Sequence, residues 1–287
     1  NTKHHAASAQ AVTFALGDII AQEGLRAGLV VDFDDAASLA KIEMDPLIRD
    51  YIDAVDTYVR IDRKAEDAAR FMFIAGRAFH YHRDFEEARR RFDELINQYP
   101  GDESSVQAAL LTVDGYNRAK DWYAVIDSVD AVAKLDLGDD PTDWRTQRDL
   151  LMVVRSNAEF QIALGLFDLP PGLEMEDIQA GKAAAAQAFT DYATTYPDAD
   201  NRAGAFAKAA LAWEQAGNTD EAISVRKRIS REHPESEYVE ASYYYIASNY
   251  GKAFDFKQAI EYHEELSNKF PNSPNAPISL FNSAFLT

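Results

Sequence analysis

Small and aromatic positions recur along this chain at fixed distances from prolines, and the pattern predicts pairs of helices. Ala88, Ala185, Ala222 and Ala259 each stand twelve residues before a proline: Pro100, Pro197, Pro234 and Pro271. A ring directly precedes each proline, at Tyr99, Tyr196, His233 and Phe270. Four residues before each alanine lies a turn former, Asp84, Gly181, Asn218 or Asp255, which predicts a break between two helices. Ahead of the break a ring recurs at Phe79, Tyr116, Trp213 and Tyr250, with a small residue three positions earlier at Gly76, Ala210 and Ala247. The small residue lets a partner helix approach while the ring fills the gap, so each unit reads as helix–turn–helix closed by its proline.

The last three prolines are spaced by 37 residues. A fixed period of this length signals stacked supersecondary units. The register reads as one domain over 1–287, opening with a divergent repeat over 1–66 that carries an insertion at 23–45. A repeat over 67–100, a degenerate one over 101–141 and a repeat over 142–197 with an insertion at 165–180 follow. Repeats over 198–234 and 235–271 and an incomplete one over 272–287 complete it. The degenerate unit keeps Tyr116 and Asp121-Trp122, but has Val113 and Val125 at the small positions and no closing proline. Pro100 and Pro197 are 97 residues apart, two periods of 37 plus 23, and part of the surplus predicts a long loop around Pro170 and Pro171. Leu47–Val59 reads as a second helix and Ala9–Gln22 as its first. Pro277–Thr287 begins a first helix, with Ala284 lying 37 residues after Ala247. Without a partner that helix is expected to expose an apolar face, as in a piece of a longer array.

These units resemble tetratricopeptide repeats. The family's consensus asks for small residues where Gly76, Ala88, Ala210, Ala222, Ala247 and Ala259 stand, for a large ring at Phe79, Trp213 and Tyr250, and for a closing proline. The match is best over 67–100 and 200–271. The resemblance implies an all-α fold, a right-handed superhelical solenoid of antiparallel helix pairs. It also implies a non-catalytic scaffold that binds a peptide or protein partner along its concave face. A structural segment of a longer array is the alternative. The junctions Pro234-Glu235-Ser236 and Pro271-Asn272-Ser273 are similar to those of repeat proteins of the bacterial cell envelope. That likeness implies a periplasmic or envelope location, with the cytoplasm as the alternative.

Composition narrows the function further. A formal charge of −19 argues against nucleic acid, which needs a basic face. The absence of cysteine excludes disulfides, thiolate metal sites and cysteine catalysis. No apolar run reads as a membrane span; the stretch Ala11–Ala21 is interrupted by Asp18. No phosphate-binding glycine loop or nucleophile elbow is present, so neither an enzyme nor a cofactor is expected. His263-Glu264-Glu265-Leu266-Ser267 begins like a zinc-protease helix, but Ser267 replaces the second histidine. Asp32, Asp34 and Glu43 match three places of a calcium loop, yet Ala37 replaces its glycine. Asp136, Asp139, Asp140 and Asp143 read as a solvated cluster with helix capping. His80 and His82 are two residues apart on a helix and point about 200° apart, so they cannot share a metal. No metal site is expected.

One stretch stands against the acidic background: residues 60–91 hold nine basic side chains and six acids. Glu86/Arg90 and Glu87/Arg91 are spaced for exposed helix pairs. Arg70, Phe73, Arg77, His80 and Tyr81 are predicted to form one stripe on a first helix. Arginine forks beside rings suit a carboxylate or an acidic peptide segment. The alternative for these arginines is pairing with Asp and Glu of neighbouring repeats. Asn117 and, on a later first helix, Tyr244 and Ser248 complete the candidate partner-binding set; interhelical packing is the alternative for Tyr244. The family's groove for C-terminal carboxylates is not expected, because Phe73 and Arg77 stand where its lysine and asparagine belong.

Overall fold

The structure, a computed structural model, describes residues 2–22, 40–134 and 141–286. Among the described residues it is all-α. The first helices are α1 (Thr2–Gln22), α2 (Pro46–Ile61), α3 (Ala68–Tyr81), α4 (Phe85–Gln98), α5 (Glu103–Ala119) and α6 (Trp122–Val132). They are followed by α7 (Pro141–Phe167), α8 (Met175–Thr195), α9 (Arg202–Gln215) and α10 (Thr219–Glu232), and then by α11 (Tyr238–Lys252), α12 (Phe256–Lys269) and α13 (Ala276–Leu286). The chain divides into two compact units, Asn1–Ala158 and Glu159–Thr287, and the division falls inside α7 rather than at a repeat junction.

The turns inside the repeats share one backbone design. Arg83, Lys120, Gly217 and Phe254 adopt positive φ angles of 61°, 57°, 83° and 62°. The next residue, Asp84, Asp121, Asn218 or Asp255, donates its N–H to the carbonyl of the repeated ring residue, Phe79, Tyr116, Trp213 or Tyr250. This left-handed closure satisfies the orphan carbonyls at the first helix's end. Three of the turn residues then cap the following helix, as Asp84, Asp121 and Asp255 accept the N–H of Glu87, Ala124 and Gln258.

Packing follows the small residues. A Cβ built on Gly76 would lie 2.6 and 2.8 Å from two ring carbons of Phe92, so only glycine admits that ring. Phe92, Leu95 and Ala88 are fully or almost fully buried, with Phe73 and Ala108 in the same cluster. Each large apolar side chain so buried contributes about 1.5–3 kcal/mol. Ala185, Ala222 and Ala259 are likewise completely buried. A second repeated device joins successive repeats. Tyr58 at the end of α2 donates to Asp67, the residue preceding α3, at 2.5 Å, and Tyr192 of α8 donates to Asn201 ahead of α9. Both pairs span nine residues and lie 134 apart in the chain.

Four expectations need correction. Gly181 is not at a turn; it lies inside α8, where a Cβ would meet the methyls of Leu169 at 2.8 and 2.9 Å. The long loop expected over 165–180 shrinks to residues 168–174, because α7 continues to Phe167 and α8 starts at Met175. The first helix of the chain begins at Thr2, well before Ala9. Thr146–Phe167 of α7, with mean hydropathy 1.3, is long and apolar enough to cross a membrane by length and composition. Only 22% of its apolar window is buried: Leu151 and Ala158 pack with Val113 and Val125, and Ala163 packs with Phe189 and Tyr192, while Leu150, Met152 and Val153 are exposed. Asp32, Asp34, Asp136, Asp139 and Asp140 lie outside the described residues, as does the side chain of Asp143.

Candidate functional site

On α3 the apolar side turns inward: Phe71, Ala75 and Ala78 enter one cluster of the first unit. Arg70, Phe73, Ile74 and Arg77, spaced three, one and three apart, share another face. That face forms one wall of a groove of about 450 Å3. The opposite wall is the first turn of α5, with its cap: Asp102, Glu103, Ser104 and Gln107. Asp102 accepts the Ser104 N–H at 2.7 Å, and Gln107 donates to Glu103 at 3.1 Å.

The arginine wall is unneutralised. Among the described residues, neither Arg70 nor Arg77 has a hydrogen bond or a carboxylate partner within ion-pair distance. The Arg77 guanidinium carbon sits 5.3 Å from the Phe73 ring centroid and 5.8 Å from that of Tyr81, so two rings hold it in place. Phe73 is itself braced by stacking on Phe92, with centroids 6.2 Å apart. Other arginines of the basic stretch are occupied. Arg91 forms a two-pronged pair with Asp56 at 2.8 and 2.9 Å and reaches Glu87 at 2.9 Å. Arg90 pairs with Glu87 rather than with Glu86, and Arg89 lies over the Tyr116 ring at 4.5 Å.

His80 does not belong to the open stripe. It is 2% exposed, and its Nε2 lies 2.9 Å from an Asp114 oxygen that also accepts from Arg118 at 2.7 Å. The ring meets Phe85 and Tyr81 edge-on. The reason is helical phase: His80 follows Phe73 by seven residues, about two turns, and both rings lie on the side of α3 that α4 and α5 cover, where each meets Phe92. Burial raises the Asp114 pKa, but hydrogen bonds from His80 and Arg118 outweigh it and hold the carboxyl below its ordinary range. Tyr81 is half-buried beside Arg77, and Asn117 is exposed on α5 outside the groove's lining.

Tyr244 and Ser248 lie on α11 in the second unit. Tyr244 packs against the buried cluster of that unit and meets Tyr245 and His263 edge-on, so it turns inward, while Ser248 is half-buried. The second unit has its own groove, about 420 Å3, between the starts of α9 and α11. Gly204 lines it 134 residues after Arg70, Leu211 stands at the position equivalent to Arg77 outside the lining, and the cation of this groove is Lys208. The arginine pair is thus particular to the first groove.

Sequence reading missed the acidic wall, whose signal is the capping run Asp102-Glu103-Ser104 at the start of α5. It also missed a buried network in the second unit. Arg226 donates to Glu214 through Nε at 2.8 Å and Nη2 at 3.2 Å, while Asn249 donates to the same carboxylate at 3.0 Å. The guanidinium lies 4.2 Å from the Tyr245 ring centroid, so this unit spends its central arginine on packing. On α13, Ile278, Leu280, Phe281 and Phe285 are exposed. Among the described residues no group of three or more His, Asp or Glu side chains could hold a metal ion.

A family model described as tetratricopeptide repeat matches residues 71–102 and 241–273. Similar solved structures include the TPR2AB domain of yeast Sti1 in a pHSP90 complex, at 12% identity over 84% of this chain and 92% of that one, with a TM-score of 0.37. The P58(IPK) TPR domain is 14% identical over 92% of this chain and 65% of that one, with a TM-score of 0.34. The apo form of RapI is 10% identical over 98% of this chain and 79% of that one, with a TM-score of 0.36. No curated protein sequence matches the chain.

Proposed function

We propose that this tetratricopeptide-repeat protein is a non-catalytic interaction scaffold that grips a partner's peptide segment in the groove between α3 and α5. The observation that carries the reading is the pair Arg70 and Arg77, two guanidinium groups on one groove wall with no carboxylate partner among the described residues. Such groups find their strongest interaction with an incoming carboxylate, which a planar fork holds through two parallel hydrogen bonds. Ile74, between them in sequence, offers apolar contact, while Phe73 is buried and braces Arg77 from beneath. Asp102 and Glu103 make the facing wall acidic, so the groove suits an extended segment with acidic side chains toward α3 and N–H or cationic groups toward α5. Within the candidate set, Arg70 and Arg77 are the contacts proposed, with the buried Phe73 and the half-buried Tyr81 orienting Arg77.

The test is a fluorescence-anisotropy titration with a short labelled peptide alternating Glu and Leu, beside its Lys–Leu counterpart. Arg77→Glu should weaken binding of the acidic peptide by about 1–3 kcal/mol while leaving the circular-dichroism spectrum unchanged. Unaltered affinity removes Arg77 from the site.

A further inference from the structure

The other side of α3 faces a second and different cleft. Met72, one residue before Phe73, lies at its floor with Val59 of α2. Four guanidinium groups, Arg60, Arg63, Arg90 and Arg91, and two carboxylates, Asp56 and Glu94, complete its lining around about 180 Å3. In a chain of net charge −19, this is a local excess of positive charge.

The charges of the cleft are not equally available. Both oxygens of Asp56 are taken by Arg91, and that rigid pair forms one side. Arg90 leans on Glu87 at 2.6 and 2.8 Å and stands 3.8 Å from Glu94, which also accepts from Gln98. Arg60 reaches only the Thr57 hydroxyl, at 3.4 Å, and the Arg63 side chain has no carboxylate partner among the described residues. The backbone of Arg63 is nevertheless held, because Tyr99 donates its hydroxyl hydrogen to the Arg63 carbonyl at 2.5 Å. Two available forks therefore stand on positioned backbone beside a third that is partly engaged.

We infer that this cleft between α2 and α4 is a binding site for a phosphate monoester, held by Arg60 and Arg63 with Arg90 in support. A monocarboxylate offers two oxygens, which is what Asp56 already supplies to Arg91, and it would meet Glu94 with little net gain. A phosphoryl group carries close to two charges and three strong acceptor oxygens, enough to engage three forks and outweigh Glu94. The volume accommodates a phosphoryl group and its ester stem, with Met72 and Val59 against the stem. This site shares no lining residue with the α3–α5 groove and stands or falls apart from it.

The experiment follows the arginine Nε–Hε resonances of the full chain by NMR, titrating sodium phosphate at constant ionic strength. The Arg60 and Arg63 signals should shift saturably. Affinity should fall by about tenfold or more in R60Q/R63Q and stay unchanged in R77Q, with both variants folded by circular dichroism. Acetate at equal concentration should leave the two signals in place. A phosphoserine peptide that binds more tightly than inorganic phosphate would identify a phosphorylated protein as the source, and equal binding a free phosphate ester. Equal phosphate affinity in R60Q/R63Q, shifts that grow linearly without saturation, or acetate acting as strongly as phosphate would each overturn the assignment.

Discussion

At the scale of single residues, backbone geometry explains positions that residue type alone leaves puzzling. Phe254 is 80% exposed and sits at φ 62°, a region that costs an L-residue about 1–2 kcal/mol and glycine almost nothing. Gly217 occupies the equivalent place one repeat earlier. Phe254→Gly should therefore raise stability by about 1 kcal/mol, read as a higher urea midpoint with an unchanged slope. The opposite change is expected at Gly76, where the approach of the Phe92 ring leaves no room for a methyl. Gly76→Ala should cost about 1–3 kcal/mol in the same measurement. Both sites belong to the repeated pattern, but only at Gly76 is the need for a small residue legible from spacing. The left-handed turn position precedes the readable Asp or Asn and is filled by Arg, Lys, Gly and Phe in turn.

At the scale of elements, buried polar groups also tie helices together. Glu214, Arg226 and Asn249 tie α9, α10 and α11 together, and the Arg226 side chain is only 5% exposed. Breaking one member leaves a buried charge unpaired, so Glu214→Ala should cost about 3–5 kcal/mol by denaturant unfolding. The double variant E214L/R226M should recover most of that loss, because it removes both charges. Histidine adds a pH dependence. His263 lies between α12 and its neighbours with its Nδ1 unpartnered, and burial holds its pKa below the ordinary 6.5. Burial and Arg202 depress His233 in the same direction. The unfolded chain then takes up protons that the folded chain refuses. The stability these rings contribute is full above about pH 6.5 and is lost as pH falls from there through their depressed folded values. The melting temperature should drop between pH 7 and pH 5, and His263→Leu should show a smaller drop. Glu232 acts in a lower window: hydrogen bonding to Arg228, against some burial, brings its pKa to about 2. Its contribution is present above its ordinary 4.5 and fades as pH approaches 2.

At the scale of the molecule, the contacts proposed for a partner lie in one groove of the array. The two inter-helix grooves occupy equivalent places in the two units, yet only the first carries Arg70 and Arg77. The Arg77→Glu titration belongs to this scale, since it asks whether one groove accounts for binding by the whole chain. An arginine-dependent interaction should also weaken as salt rises, because exposed charges are screened over about 10 Å at 0.1 M ionic strength.

Periodicity alone determined that this protein is all-α and built of helix pairs, and where the small residues touch. Such features repeat every 37 residues, and local steric rules read them directly. The stripe on α3 was legible in part: Arg70 and Arg77 follow helical spacing, but that α4 and α5 cover Phe73 and His80, two turns apart on one side, depends on the neighbouring helices. Only the tertiary structure decided which arginines keep no acid partner, because Arg91 finds Asp56 35 residues away while Arg70 and Arg77 find none among the described residues. It likewise placed the break of the fourth repeat at 168–174, since the glycine at 181 serves the approach of Leu169 and not a turn. Spacing sets which residues can share a face; the packing of other helices decides which of those faces remain open and charged.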